Sequence, residues 1–188
     1  MGITFAALAL LGVAGSGVAD PLHKFGHDGA WRHVDSGWMF PASVSGFSRV
    51  GQPYNIDGNN DAGAEYRPAS GSSVSAEVDV YAADSGAPDA TLDGAKSTAA
   101  RKAGESAGVS SEQPFQIDTL KGVRGVKVRH AGTEAAGTLT NLYFFTTERW
   151  RVKVLANSAA TGKDGDAALD AFVQALPWET LGSESGIH

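Results

Sequence analysis

The segment from Ser72 to Ala82, in which apolar and polar residues alternate from Val74 onward, constrains the fold of this chain more than any other feature. Because successive side chains of a β-strand point to opposite faces, this pattern predicts a strand with one face in a core. A lone strand leaves its backbone groups unpaired, so the segment also requires neighbouring strands. The apolar side consists of Val74, Ala76, Val78, Val80 and Ala82, and the polar side of Ser75, Glu77, Asp79 and Tyr81.

Further strands are predicted on both sides of this segment. The first of them contains Pro53, which suits an edge strand, and a polar turn follows it. One later segment is apolar on both faces and is therefore expected at the centre of a sheet. The segment after it begins within a residue or two, which predicts a tight antiparallel hairpin. The predicted strands are 47–56, 62–69, 121–130, 138–147 and 149–156, the last with Trp150, Val152, Val154 and Ala156 directed inward.

Two helices are predicted as well. The first covers 89–107 and carries a narrow stripe of small residues, which lets a helix lie close to a sheet. The second begins at about Asp164, presents one apolar face and stops at Pro177. The stripe is Leu92, Ala95, Ala99, Ala103 and Ala107, and the apolar face is Leu169, Phe172, Val173 and Leu176.

The order of these elements predicts a single α+β domain over residues 38–178. Hairpins dominate it, so we expect an antiparallel sheet of about six to seven strands with the two main helices packed on it. Residues 20–37 show no periodic pattern and are expected to form an irregular arm. Residues 179–188 are expected to be a disordered tail.

The first nineteen residues read as a signal peptide. They contain no charged side chain, run apolar from Ile3 to Val13 and end in Gly17-Val18-Ala19, the small-x-small pattern that signal peptidase cuts. The chain is therefore expected in the periplasm or outside the cell. The alternative is an uncleaved anchor, and the membrane is expected as a partner only in that case.

Charge and cysteine content exclude several functions. The net charge is −6, which argues against nucleic acid as a partner, because affinity for phosphate backbones comes from clustered Lys and Arg. The chain has no cysteine, which excludes disulfides, thiol catalysis and thiolate metal sites. No cofactor is predicted.

The layout resembles that of a known family. Phe40-Pro41 and Gly46-Phe47-Ser48-Arg49 open the domain, and an aromatic strand at 142–145 precedes a Trp-basic strand at 150–153. This order resembles small exported bacterial proteins of the PsbP and DcrB type. The resemblance implies an αβα sandwich and a non-enzymatic accessory or binding role. It carries over no functional residue, since it rests on element order over about 38–178.

Basic residues alternate with apolar ones on two predicted strands and suggest a binding face. If those strands are neighbours, the cations share one face of the sheet and form an anion site, for a small anionic ligand or an unknown acidic protein. The alternative is that they pair across strands with Glu77 and Asp79. The candidate binding residues are Arg129, Arg149, Arg151 and Lys153.

A serine hydrolase is an alternative function. Gly104-Glu105-Ser106-Ala107-Gly108 matches the G-x-S-x-G nucleophile elbow, and His130 is the candidate base. The residues before Ser106 are predicted to be helical, whereas the elbow needs a preceding strand. A glycine-rich helix end is therefore the competing interpretation.

Metal binding is the other alternative. His23, His27 and His33 are close in sequence, and neutral imidazole is a ligand for zinc or copper. The competing interpretation is three solvated histidines. Asp57, Asn59 and Asp61 likewise match the start of a calcium loop. The match then fails, because Ala62 and Pro68 stand where an EF-hand has glycine and glutamate, so a polar turn is the favoured interpretation.

Overall fold

The computed structural model describes residues 20–56, 60–69, 74–104, 107–120, 123–131, 138–159 and 163–182. Within this part the chain is α+β, as predicted, and every pair of neighbouring strands is antiparallel. The strands are β1 (Leu22–Phe25), β2 (Ala30–His33), β3 (Met39–Phe40), β4 (Ser43–Val44), β5 (Phe47–Ile56), β6 (Asp61–Pro68), β7 (Ser75–Ala82), β8 (Gly108–Phe115), β9 (Arg124–Ala131), β10 (Thr138–Thr146) and β11 (Trp150–Ala159). The helices are α1 (Leu92–Ala103) and α2 (Lys163–Gln174), with short 3-10 turns at Pro88–Ala90 and Trp178–Thr180.

The main sheet has eight strands in the order β4-β5-β6-β7-β11-β10-β9-β8. The predicted hairpin is present, with Thr146 opposite Arg151 across its turn. The additional strand at one edge is β8, in a region where no strand was predicted. Seven of its eight residues are exposed, so it has no apolar face for a sequence pattern to reveal.

Residues 20–37 form a hairpin, which differs from the irregular arm expected. Strands β1 and β2 pair with each other and, through β3, form a separate three-stranded sheet. Gly26 and Gly29, both at positive φ, lie in the connection between β1 and β2. Each strand has only four residues, too few for a periodic signal. Leu22 nevertheless joins the main core, so this hairpin is part of the folded body.

Helix α1 is shorter than predicted but uses the predicted stripe. Thr91 caps its start by accepting a hydrogen bond from the Gly94 amide, and Gly104, at φ 111°, ends it. Ala95, Ala99 and Ala103 are buried, as the small-residue stripe requires.

The two helices pack on opposite faces of the sheet. Leu169 and Phe172 of α2 share a core cluster with Val154, whereas Ala99 of α1 shares a cluster with Leu155. Val154 and Leu155 are consecutive in β11, so their side chains point to opposite faces. We call these the α2 face and the α1 face of the sheet.

The predictions for the two ends of the chain stay predictions. Residues 1–19 and 183–188 lie outside the described residues. Among the helices that the structure describes, none combines the length and the apolar character needed to span a bilayer. The predicted disordered tail is wrong for residues 179–182, which are part of the fold, since the Gly182 amide donates to the Ser36 carbonyl at 2.7 Å.

Candidate functional site

The predicted basic residues are divided between the two faces of the sheet. Strand β10 lies between β9 and β11, so the cations of the latter two strands are not neighbours. Lys127 and Arg129 of β9 lie on the α2 face, where they pair with Asp170 and Asp166 of α2. Lys153 of β11 lies on the α1 face. These side chains therefore form no common basic surface.

Lys153 is at the centre of a buried charge cluster. Its side chain is 2% exposed, and its Nζ lies 2.8 Å from Asp79, 2.6 Å from Asp89 and 3.9 Å from Glu77. Pairing with Glu77 and Asp79 is the alternative that the sequence left open. Asp89 was not foreseen as a partner, because it lies 64 positions away in the 3-10 turn before α1. The cluster thus fastens the start of the α1 segment to the sheet.

Asp79 accepts hydrogen bonds from two tyrosines in addition to Lys153. The hydroxyls of Tyr54 and Tyr81 each lie 3.2 Å from its carboxylate. Tyr54 reaches Asp79 by lying over Gly63, where a Cβ would stand 2.7 Å from the tyrosine ring. A side chain at this position would displace the ring, so the glycine allows the close approach.

The pKa shifts within the cluster set its chemistry. Burial raises the pKa of Asp79 to about 6, although the Lys153 ammonium acts in the opposite direction. Burial alone would lower the pKa of Lys153, but the carboxylates of Asp79, Asp89 and Glu77 outweigh it and raise the pKa. Lys153 is therefore an ammonium ion at neutral pH. An ammonium ion has no lone pair, so this lysine acts as a structural cation and not as a nucleophile.

The three histidines of the metal hypothesis are not brought together. His23 and His27 are exposed, whereas His33 is fully buried, with its Nδ1 2.7 Å from the Ser36 hydroxyl and its ring edge-on to Trp150. Burial lowers the pKa of His33, against the raising effect of Asp35 and Asp61. Over the described ranges, no group of three or more His, Asp or Glu side chains is placed to hold a metal ion.

The hydrolase pair is visible only in part, since Ser106 lies outside the described residues. His130 is 2% exposed on β9, opposite Val109 of the edge strand, and burial lowers the pKa of its ring.

Asp61, which begins β6, accepts hydrogen bonds from the Ala82 amide and the Ser85 hydroxyl. That carboxylate holds the turn after β7, while the other residues of the calcium-like loop, Asp57 and Asn59, lie outside the described part.

The structure contains a cleft that the sequence did not reveal. It has a volume of about 580 Å³ and lies at the end of the sheet where β7 stops and the β10–β11 turn begins. Four separate segments of the chain converge there. The lining residues are Asp35, Asn60, Ala82, Ala83, Asp84, Glu148, Arg149 and Trp150. We call this the end cleft.

Trp150 links the end cleft to the core. Its side chain is 6% exposed and packs in the core on the α2 face, yet it contributes to the cleft wall. Its indole Nε1 is buried and has no hydrogen-bond partner among the described residues. Most buried polar groups in proteins are paired, so a buried indole donor without a partner is unusual.

The end cleft also gathers Arg149 from the predicted binding set. Arg149 is exposed in the wall, whereas Arg151 is directed to the backbone and donates to the carbonyl of Thr147 at 2.6 Å. The sequence signal for this region was the tight hairpin between β10 and β11, which brings Glu148 and Arg149 to the end of the sheet.

No protein-family model matches the chain, and no curated protein is significantly similar to it.

Proposed function

We propose that this chain is an exported, non-enzymatic binding or accessory domain whose ligand occupies the end cleft. The observation that carries the proposal is the cleft itself. Its volume of about 580 Å³ falls in the range of small-molecule and side-chain sites, and it lies where several loops meet at the end of a rigid sheet. Loops held by a rigid scaffold are the common location of binding residues.

The state of the polar core groups supports a binding role over a catalytic one. Lys153 is protonated and shielded by carboxylates, which removes it as a nucleophile. Asp79 titrates near neutral pH but is 1% exposed, so a substrate does not reach it. His33 is fully buried against Ser36 and Trp150. Each of these groups is buried and occupied by contacts within the fold.

The fold supports a relationship to the PsbP and DcrB type as part of the same proposal. An antiparallel sheet with one helix on each face is the layering that the resemblance implies. The eighth strand of the main sheet and the separate three-stranded sheet are additions to that layout. Accessory roles are the expectation for such proteins.

The signal-peptide pattern of residues 1–19 supports export, and a measurement of the mass of the mature chain tests this. The full-length gene product is expressed in a bacterial host and its periplasmic fraction is purified. We expect a mature chain that begins at Asp20. Intact chain beginning at Met1 in the soluble cytoplasmic fraction would contradict export, and the same mass in the membrane fraction would favour the anchor.

Amide NMR tests the location of the site. The purified protein is titrated with a library of small polar molecules and amino acid amides, and shifts of backbone amides are followed. We expect shifts from saturable binders to cluster at residues 82–84 and 147–150. Clustering on another surface, or no saturable binder in the library, would contradict the assignment of the end cleft.

A further inference from the structure

We propose that His33 is an acid-sensitive latch: protonation of its ring releases the β1–β2 hairpin, residues 20–34, from the main sheet. The opening is local, and the remainder of the fold stays assembled. The latch goes beyond the proposed function, because it operates whether or not the end cleft binds a ligand. Three features of the molecule support it: the position of His33, the surroundings of its ring and the small buried surface of the hairpin.

His33 lies at the junction between the two sheets. It is the last residue of β2, which belongs to the three-stranded sheet, and its ring packs edge-on to Trp150 of the main sheet, with 5.8 Å between the ring centroids. The side chain is fully buried. Its neighbours on β11 and β1, Trp150 and Leu22, carry no charge. Water therefore reaches the ring when the hairpin separates from the main sheet.

The surroundings of His33 suit a neutral ring. Its Nδ1 lies 2.7 Å from the Ser36 hydroxyl, and its Nε2 makes no hydrogen bond among the described residues. A neutral imidazole has one donor and one acceptor nitrogen, whereas the charged ring has two donors. Protonation of the closed form therefore leaves a charged N–H buried without an acceptor, and water supplies that acceptor once the hairpin opens.

The charged groups near the ring reduce this cost without removing it. Asp35 follows β2 and Asp61 begins β6, and both carboxylates favour the protonated ring, as does the backbone of Asn60. Burial outweighs these effects and lowers the pKa of His33. The carboxylate of Asp61 is also engaged in holding the turn after β7. The proton is therefore bound more tightly in the open form than in the closed form.

The β1–β2 hairpin buries few side chains. Of its eight strand residues, only Leu22, Ala30 and His33 are buried. Trp38, just beyond the hairpin, is fully buried in the main core. Gly37, at φ 71°, lies between these two parts and provides a hinge. Segments with little buried apolar surface open at a lower free energy than the whole molecule, so the hairpin can separate while the core stays closed.

Opening of the hairpin also changes the end cleft. Asp35 lies between the hairpin and the hinge, and it lines the cleft together with Trp150. The released hairpin moves Asp35 away from this wall. The latch thereby couples pH to the shape of the cleft.

Native-state hydrogen exchange of the purified protein, followed by NMR, tests the latch. The hairpin reporters are the amides of His33 and Val34, which donate to the carbonyls of Trp38 and Pro21, and the reference amides are those of β10 and β11. At pH 7 we expect the hairpin amides to be less protected than the reference amides. We also expect their exchange to be nearly insensitive to low urea, because a local opening exposes little surface.

Acid is expected to favour the opening. Binding of one proton changes the opening equilibrium by at most about tenfold per pH unit below the pKa of a free histidine, about 6.5. Between pH 7 and pH 5 we therefore expect the protection of the hairpin amides, corrected for intrinsic exchange rates, to fall by about threefold to thirtyfold.

Two variants and a control identify the titrating group. His33→Gln removes it and is expected to make the hairpin protection independent of pH. Asp35→Asn keeps the ring but removes a carboxylate that favours its charged form, so the acid effect is expected to be larger than in the wild type. His23→Gln changes an exposed histidine of the same hairpin and is expected to behave like the wild type.

Three outcomes would overturn the inference. Hairpin amides as protected and as urea-sensitive as those of β10 and β11 would show that the hairpin opens only with the whole fold. An acid response retained in His33→Gln would assign the sensor to another group. If that variant loses its hairpin protection already at pH 7, Asp35→Asn decides, and an acid effect no larger than in the wild type would reject His33 as the sensor.

Discussion

Replacing Lys153 by methionine tests whether the buried charge cluster holds the fold together. Methionine keeps most of the side-chain volume but removes the ammonium, so Asp79 stays buried without a countercharge. Breaking a buried ion pair in this way costs about 3–5 kcal/mol. Asp89 and Glu77 are more exposed and regain water, and the hydroxyls of Tyr54 and Tyr81 still donate to Asp79. We therefore expect a loss near the lower limit, about 3 kcal/mol at pH 7.

The loss in free energy of unfolding caused by Lys153→Met, relative to the wild type, is expected to be smaller at acidic pH. The folded pKa of Asp79, about 6, lies above that of an unfolded aspartate, about 3.9, so this group adds stability as the pH falls from above 6 towards 4. Without Lys153 the pKa of Asp79 rises further, because the ammonium that favours its charged form is absent. Asp79 is therefore protonated at a higher pH in the variant than in the wild type, and its protonation removes the buried negative charge. Urea unfolding followed by circular dichroism at pH 7 and pH 5 measures both effects.

Two further variants complete the test. Adding Asp79→Asn to the Lys153→Met chain removes the buried carboxylate that has lost its countercharge. This second substitution is expected to restore at least about 1 kcal/mol of the free energy of unfolding. Lys127→Met is the matched control, since Lys127 is also buried but its partner Asp170 is accessible to water; we expect a loss of about 1 kcal/mol. A loss below about 1 kcal/mol for Lys153→Met at pH 7, or a deficit unchanged at pH 5, would refute the reasoning.

Two other positions give sharp expectations for stability. Gly63→Ala places a Cβ against the Asp79 carboxylate and the Tyr54 ring, so we expect a loss of about 1–3 kcal/mol in urea unfolding; wild-type stability would show that the ring moves without cost. His33 has a lowered pKa, so the unfolded chain takes up a proton first as the pH falls below about 6.5, and stability declines by at most about 1.4 kcal/mol per pH unit. His33→Gln is expected to flatten that decline between pH 7 and pH 5, and the exposed control His23→Gln to leave it unchanged.

Local patterns predicted the central elements of the fold because those elements are amphipathic. The alternation of β7 and β11 and the apolar face of α2 mark the side chains that pack in the core on the α2 face, which is a property of the sequence itself. The alternation did not reveal that Asp79 and Lys153, on the other face of these strands, are buried as well. Strand β8 escaped detection because it is paired through its backbone and buries almost no side chain. The β1–β2 hairpin escaped because four residues are too few to establish a period.

Local sequence patterns could not predict the end cleft, for a different reason. The wall of the end cleft comes from segments around residues 35, 60, 83 and 149, which only the sheet order brings together. The contact between Lys153 and Asp89 depends in the same way on where the 3-10 turn docks. The expectation of one basic face failed because β10 separates β9 from β11 and the cations point to opposite faces.

The open margin of the sheet at β8 has a consequence for self-association. An edge strand has backbone N–H and C=O groups without partners, and these can pair with a strand of a second molecule. Repeated pairing of this kind builds fibres. Here the strand contains Pro114, which has no amide hydrogen, and an irregularity between Val109 and Ser111 that breaks its register. Glu112 adds a charge that is held by Lys96 of α1. Within the described part of the chain β8 is the outermost strand of the sheet, and we expect these features to disfavour its pairing with a strand of a second molecule.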